Sequence, residues 1–144
     1  MATTAAISIS SDIAPSYGSI SKTMTLTKAG STSGLEETTG LQRRKLASVS
    51  AVDLITMANE LVEPTDNTAA KVYVRNIGDG NGTIDKSTYV LISVGDSGGT
   101  TQGIGRLYGG DWLMMPITVV DDMDIVATPE TIATVVLEYV MFYE

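Results

Sequence analysis

Period-two runs dominate the second half of the chain. "KVYVRNI" (71–77) and "STYVLISV" (87–94) are short, rich in β-branched and aromatic residues, and separated by Gly- and Asp-rich spacers, so each reads as a strand. "GIGRLYGG" (103–110) precedes "DWLMMPITVV" (111–120), where Pro116 favours an edge or a bulge because proline has no N–H for a ladder. "MDIVA" (123–127) leads through Thr128-Pro129-Glu130-Thr131 into the longest run, "IATVVLEYVMFY" (132–143). There Ala133, Val135, Leu137, Tyr139, Met141 and Tyr143 fall on one face, and Val136, Val140 and Phe142 on the other with Thr134 and Glu138. A strand apolar on nearly both sides is central in a sandwich or covered by a neighbouring subunit.

The first half is quieter. "SISKTMTLTK" (19–28) alternates, with Ile20, Met24 and Leu26 on one side, Lys22 interrupting them, and Ser and Thr on most of the other. "AGSTSGLEETTG" (29–40) is loop chemistry. Residues 50–62 carry two signals. Ser50 with Asp53 resembles a capping box, and Val52, Ile55, Ala58 and Leu61 have helical spacing; alternation also fits, and the strand-like neighbours favour it. Pro64 ends whatever precedes it.

Short strands punctuated by turns, without a clear long helix, indicate an all-β fold. The expected architecture is an antiparallel, jelly-roll-like β-sandwich of about seven or eight strands with an extended N-terminal arm. The expected boundary places a Ser/Thr-rich arm at 1–50 and the sandwich body at 51–144. Ten Ser and eight Thr lie in the first fifty residues, with only Tyr17 of the eight aromatics, so that segment buries little apolar area against its own ordering entropy.

Composition narrows the chemistry. The chain has 144 residues and neither cysteine nor histidine, which removes disulfides, thiolate metal sites and the commonest general base. It shows no signal-peptide pattern and no apolar run long enough to span a membrane, so a soluble protein without membrane contact is expected. The net charge of −8 argues against a nucleic-acid partner. Residues 1–50 hold five basic and three acidic side chains, whereas 51–144 hold four and fourteen, so a slightly basic segment precedes an acidic body.

Two motifs fail on inspection. "DGNGTID" (79–85) resembles the middle of an EF-hand loop, with Asp79, Asn81, Thr83 and Asp85 at ligand positions when Gly82 takes the turn position. Ile77 and Thr88 then fall where the first carboxylate and the bidentate Glu belong, and strands flank the loop. A hairpin turn with positive φ at Gly80, Asn81 and Gly82 is the expectation. "GDSGG" (95–99) resembles the nucleophile segment of chymotrypsin-like proteases, but Ser97 has no histidine to take its proton. It reads as a turn. The pairs Asp121-Asp122 and Glu36-Glu37 read as solvated turns, and no cofactor, metal or catalytic set is expected.

The segments "KVYVRNIGDGNGTIDKSTYVLISVG", "IGRLYGGDWLMMPI" and "DIVATPETIATVVLEYVMFYE" resemble in layout the small virion structural proteins of tailed bacteriophages, especially β-sandwich head-decoration (cement) proteins. The matching positions are Asn76, Gly109-Gly110-Asp111, Asp124-Ile125, Ala127 and Leu137-Glu138-Tyr139. The resemblance implies a non-enzymatic virion protein that decorates or cements a capsid. It would act as a homo-oligomer, in one form a trimer, against the major capsid protein or another virion component. Partner contacts are expected at Ile20, Met24 and Leu26 on the arm, at Arg43, Arg44 and Lys45 toward carboxylates, and at Trp112, Met114 and Met115. The alternative is a tail or fibre module that binds host-surface glycans through Trp112, Tyr108 or Tyr89.

Overall fold

The computed structural model describes residues 4–9, 20–25, 35, 37–57, 68–81, 83–131 and 134–143. Its elements are strands: β1 (Thr4–Ile9), β2 (Ile20–Thr25), β3 (Glu37–Thr38), β4 (Gln42–Leu46), β5 (Val52–Ile55), β6 (Thr68–Asn76), β7 (Tyr89–Gly95), β8 (Thr101–Tyr108), β9 (Trp112–Val119), β10 (Ile125–Pro129) and β11 (Val135–Tyr143).

Strands β4 to β11 wind into a jelly roll. β4 pairs with β11, β5 with β10, β6 with β9 and β7 with β8, all antiparallel, so the chain behaves as one long ribbon folded back on itself. The ladders β11·β6 and β10·β7 join this ribbon into two sheets. One sheet has the order β5-β10-β7-β8; the other has β3-β11-β6-β9, with β4 also on β11. Each segment from β8 to β11 changes sheet, so connections fall at two ends. The strand ends Leu46, Val52, Asn76, Tyr89, Tyr108, Trp112, Pro129 and Val135 lie at one end, and Ile55, Thr68, Gly95, Thr101, Val119 and Ile125 at the other.

Alternation fixes what fills the space between the sheets. Val72 and Val74 of β6, Val90 and Ile92 of β7, Ile125 and Ala127 of β10, and Leu137 and Met141 of β11 are fully buried in one cluster. Each of the larger of these side chains, Ala127 apart, contributes about 1.5–3 kcal/mol on leaving water. β11 is buried along almost its whole length because β3 and β4 flank it on one side and β6 on the other. Of the two sequence readings of that strand, the central position holds.

Two expectations change and a third is borne out. Residues 37–46, read as arm, are strands of the five-stranded sheet; β4 carries its charges outward on an edge, which makes it look like a solvated tail. The segment 77–88 is no hairpin, because β6 and β7 lie in opposite sheets and the loop crosses between them. Its positive φ values are at Gly78 and Gly80; Asn81 has none, and Gly82 lies outside the described residues. Within 50–62, strand β5 at 52–55 bears out the favoured strand reading over the helical alternative, and residues 58–62 lie outside the described part.

Among the described residues the sandwich edges carry features that disfavour further pairing. β9 carries Pro116, as its sequence suggested. β8 has a register shift opposite Ile92/Ser93, β5 is four residues long with a shift of its own opposite Ile125/Val126, and β3 and β4 are short pieces separated by Gly40. Bulges, prolines and short charged edges are the usual devices that prevent edge-to-edge addition.

Candidate functional site

The outward face of the five-stranded sheet follows from register. Opposite residues share a face, so Arg43, Glu138, Arg75 and Trp112 form one cross-strand row. Val140, Tyr73 and Met114 form the next, and Phe142, Lys71 and Pro116 the third. Lys45 stands outward opposite Val136. Among the described residues this face therefore holds four cations and one carboxylate, on a chain whose net charge is −8. An aromatic pair sits within it: the Tyr73 and Trp112 rings lie 6.3 Å apart at 36°. Trp112 remains 42% exposed, although large apolar side chains in the described body are mostly covered.

The row is anchored by one ion pair. Arg43 donates from Nε (2.9 Å) and Nη2 (2.8 Å) to a single oxygen of Glu138. Arg44, of opposite parity, stays exposed at the sandwich edge and donates to the Asp53 carbonyl of the other sheet. Of the three cations expected to meet carboxylates, Arg43 meets one inside its own chain, Arg44 meets a backbone oxygen, and Lys45 is exposed.

The remaining expected contact residues divide. Trp112 and Met114 belong to the outward face, whereas Met115 packs against the core cluster with Leu113 and Ile117. Met115 is thus on the inward face, half-buried against the core, because it is one position out of phase with Trp112 and Met114. On the β1–β2 ribbon, Ile20 registers with Ile9 and Met24 with Ala5; Leu26 lies outside the described residues. Neither ribbon strand pairs with a described strand of the sandwich. Tyr73, Lys71 and Arg75 were not singled out from sequence, although their i, i+2, i+4 spacing with strand period places them together.

The other sheet carries a second aromatic pair. Tyr89 and Tyr108 meet edge-on at 5.5 Å, and the Arg106 guanidinium covers the Tyr89 ring at 4.5 Å. These rings are on a different sheet from Trp112, so the three do not form one stacking platform.

The two rejected motifs are tied up internally. Asp79 Oδ1 accepts the N–H groups of Asn81 (2.7 Å) and Thr83 (3.0 Å), and Asp85 accepts from Ser87 and Thr88. Those donors hold both carboxyls below the usual carboxylate range, with the Asn81 N–H leading for Asp79 and the Ser87 hydroxyl for Asp85. Ser97 sits in the β7–β8 hairpin loop, and its hydroxyl donates to Asp53 Oδ2 at 2.7 Å. Its partner is thus a carboxylate acceptor, and Arg44 and Thr56 line the same cleft.

Around Asp53 the turning end of the sandwich becomes acidic. Asp124 precedes β10, accepts the Met57 N–H at 2.8 Å, and through its carbonyl accepts the Gly95 N–H at 3.0 Å. Burial pushes its carboxyl up, and repulsion from Asp53, Asp96 and Asp122 adds to this against the Met57 hydrogen bond. Asp121 and Asp122 are exposed in the β9–β10 turn, as their sequence suggested, and Asp122 has φ 66°. Met123 beside them is 37% exposed. Among the described residues no group of three or more carboxylates is arranged to hold a metal ion. Among them, too, no helix is long and apolar enough to cross a membrane.

Comparison of the sequence with models of known protein families and with curated proteins found no match.

Proposed function

We propose that this chain is a virion structural protein of the head-decoration type, acting as a homo-oligomer that covers and clamps other polypeptides without chemistry. The observation that carries the reading is the outward face of the five-stranded sheet, where Trp112, Tyr73 and Met114 lie among Arg43, Lys45 and Arg75. Aromatic and arginine side chains are the residues that dominate contact energy at protein interfaces. Blocked edges leave faces and the ribbon as the surfaces available for association. Repetition over many sites on a shell makes modest single contacts sufficient.

Glycan capture by a tail or fibre module is the second reading, and exposed Trp112 is the feature that favours it. It is the weaker one. Tyr89 is covered by Arg106, and Tyr108 is turned against Tyr89, so neither extends the Trp112 surface.

The test is to locate the chain in purified phage particles by protein identification and an electron-microscopy map. Decoration of the shell in many copies is the expected result. A chain absent from particles, or one that binds glycans in a Trp112-dependent way, would overturn the assignment.

A further inference from the structure

The basic, aromatic face has a complement elsewhere on the same molecule. The turning end presents Asp96, Asp121 and Asp122 to solvent around exposed Met123, with Asp53 and Asp124 behind them. Asp53, Asp96 and Asp122 lie close enough to Asp124 to repel its charge, so this end gathers carboxylates, with Arg44 reaching it at the Asp53 carbonyl.

The two surfaces cannot satisfy each other within one chain. Trp112 begins β9 and the acidic turn follows its other end, so eight residues of extended strand intervene. At about 3.3 Å per residue the separation is roughly 25 Å. Pairing of this face with its own copy across a two-fold axis would set four cations and one carboxylate against the same set, a net repulsion that an acidic partner avoids.

We infer that two copies associate head to tail, with the Asp121-Asp122-Met123 turn of one copy seated on the Trp112–Tyr73–Met114 face of the next. The turn brings carboxylates to Lys45 and Arg75 and an apolar side chain to Trp112. Such a contact is heterologous, so it closes into a ring or continues along a surface according to its rotation. It rests on the reading of the chain as a protein that works by contact. The two can fail separately, since this one is read in solution and the particle assignment is read in particles.

Charge exchange between full-length variants tests it. K45E with R75E reverses these two charges of the face and keeps Arg43 and Glu138 themselves unchanged in sequence. D121K with D122N reverses the turn, asparagine being chosen because position 122 has positive φ. Mass is read by light scattering across concentration and salt. The wild-type chain is expected to exceed its single-chain 15.2 kDa at low salt and to return toward that value at high salt. Each variant alone is expected to stay at single-chain mass. Their equimolar mixture is expected to associate again, because the reversed face meets the original turn of neither copy but the reversed turn of the other, while the original pair is also present. The inference is overturned by a wild type that stays single-chain under all conditions. It is equally overturned by variants that associate as the wild type does, or by a mixture that does not recover. Nucleic-acid binding that vanishes with K45E and R75E while mass is unaffected would also overturn it.

Discussion

Arg43 and Glu138 lie directly opposite each other on β4 and β11, and both guanidinium contacts converge on one carboxylate oxygen. The pairing is lopsided: the Arg43 side chain is 66% exposed and that of Glu138 only 11%. Arginine here holds an otherwise covered carboxylate on the outward face, in the same row as Arg75 and Trp112. Arg43→Ala is expected to lower stability by on the order of 1 kcal/mol, the solvent-screened cost of a partly exposed pair. Chemical denaturation at low and high salt checks it, with a smaller difference expected at high salt.

Asn76 gives a larger effect. Its side-chain N–H donates to the Leu107 carbonyl of the opposite sheet at 3.0 Å, and its Oδ1 accepts the Gly78 N–H at 3.0 Å. Asn76→Leu removes both bonds and leaves the Gly78 N–H without its acceptor, while the Leu107 carbonyl keeps its place in the β7–β8 ladder. A fall of about 1–3 kcal/mol in unfolding free energy is expected from the shift in urea midpoint.

Two glycines separate conformational strain from steric conflict. A Cβ at Gly78 (φ 80°) would lie 2.0 Å from the Thr83 carbonyl oxygen, whereas one at Gly40 (φ 74°) would meet nothing within 4 Å. Gly40→Ala is therefore expected to cost only the left-handed penalty, about 1–2 kcal/mol. Gly78→Ala must also open the crossing loop and is expected to cost clearly more, as compared melting temperatures would show.

Acid acts in two opposed ways. Asp124 is raised above its ordinary value, chiefly by burial, so its ionised form weakens the fold at neutral pH. Its protonation as pH falls through the raised value favours the folded state. Asp79 and Asp85 are lowered by hydrogen bonds, so their stabilisation is present above about 3.8 and disappears as pH falls through their depressed values. Asp124→Asn keeps an acceptor for the Met57 N–H. It is expected to leave the protein at least as stable as wild type at neutral pH, with the advantage shrinking in mild acid. Melting temperature against pH for both proteins measures this.

The strands of the body were legible where β-branched and aromatic residues alternate, as in β6, β7 and β11, and Pro116 announced its edge. Pairing was not legible. β4 meets β11 and β5 meets β10 across most of the chain, and no local signal records such distant partners. β3 and β4 escaped notice because "ET" and "QRRKL" hold almost no apolar residue; they are strands because β11 offers them an edge. The outward face was half legible. Period two in "KVYVR" places Lys71, Tyr73 and Arg75 together, and the same rule separates Met115 from Met114. Joining those residues to Arg43 and Lys45 required the register of β11.

Trp112 is the only tryptophan, so its emission reports on the proposed contact face alone. The decisive measurement is its quenching by acrylamide, in the isolated chain at low concentration and in the assembled particle. Contact through the Tyr73–Trp112 surface predicts ready quenching in the isolated chain, with strong protection and a blue-shifted emission on assembly. Equal quenching in both states would contradict it.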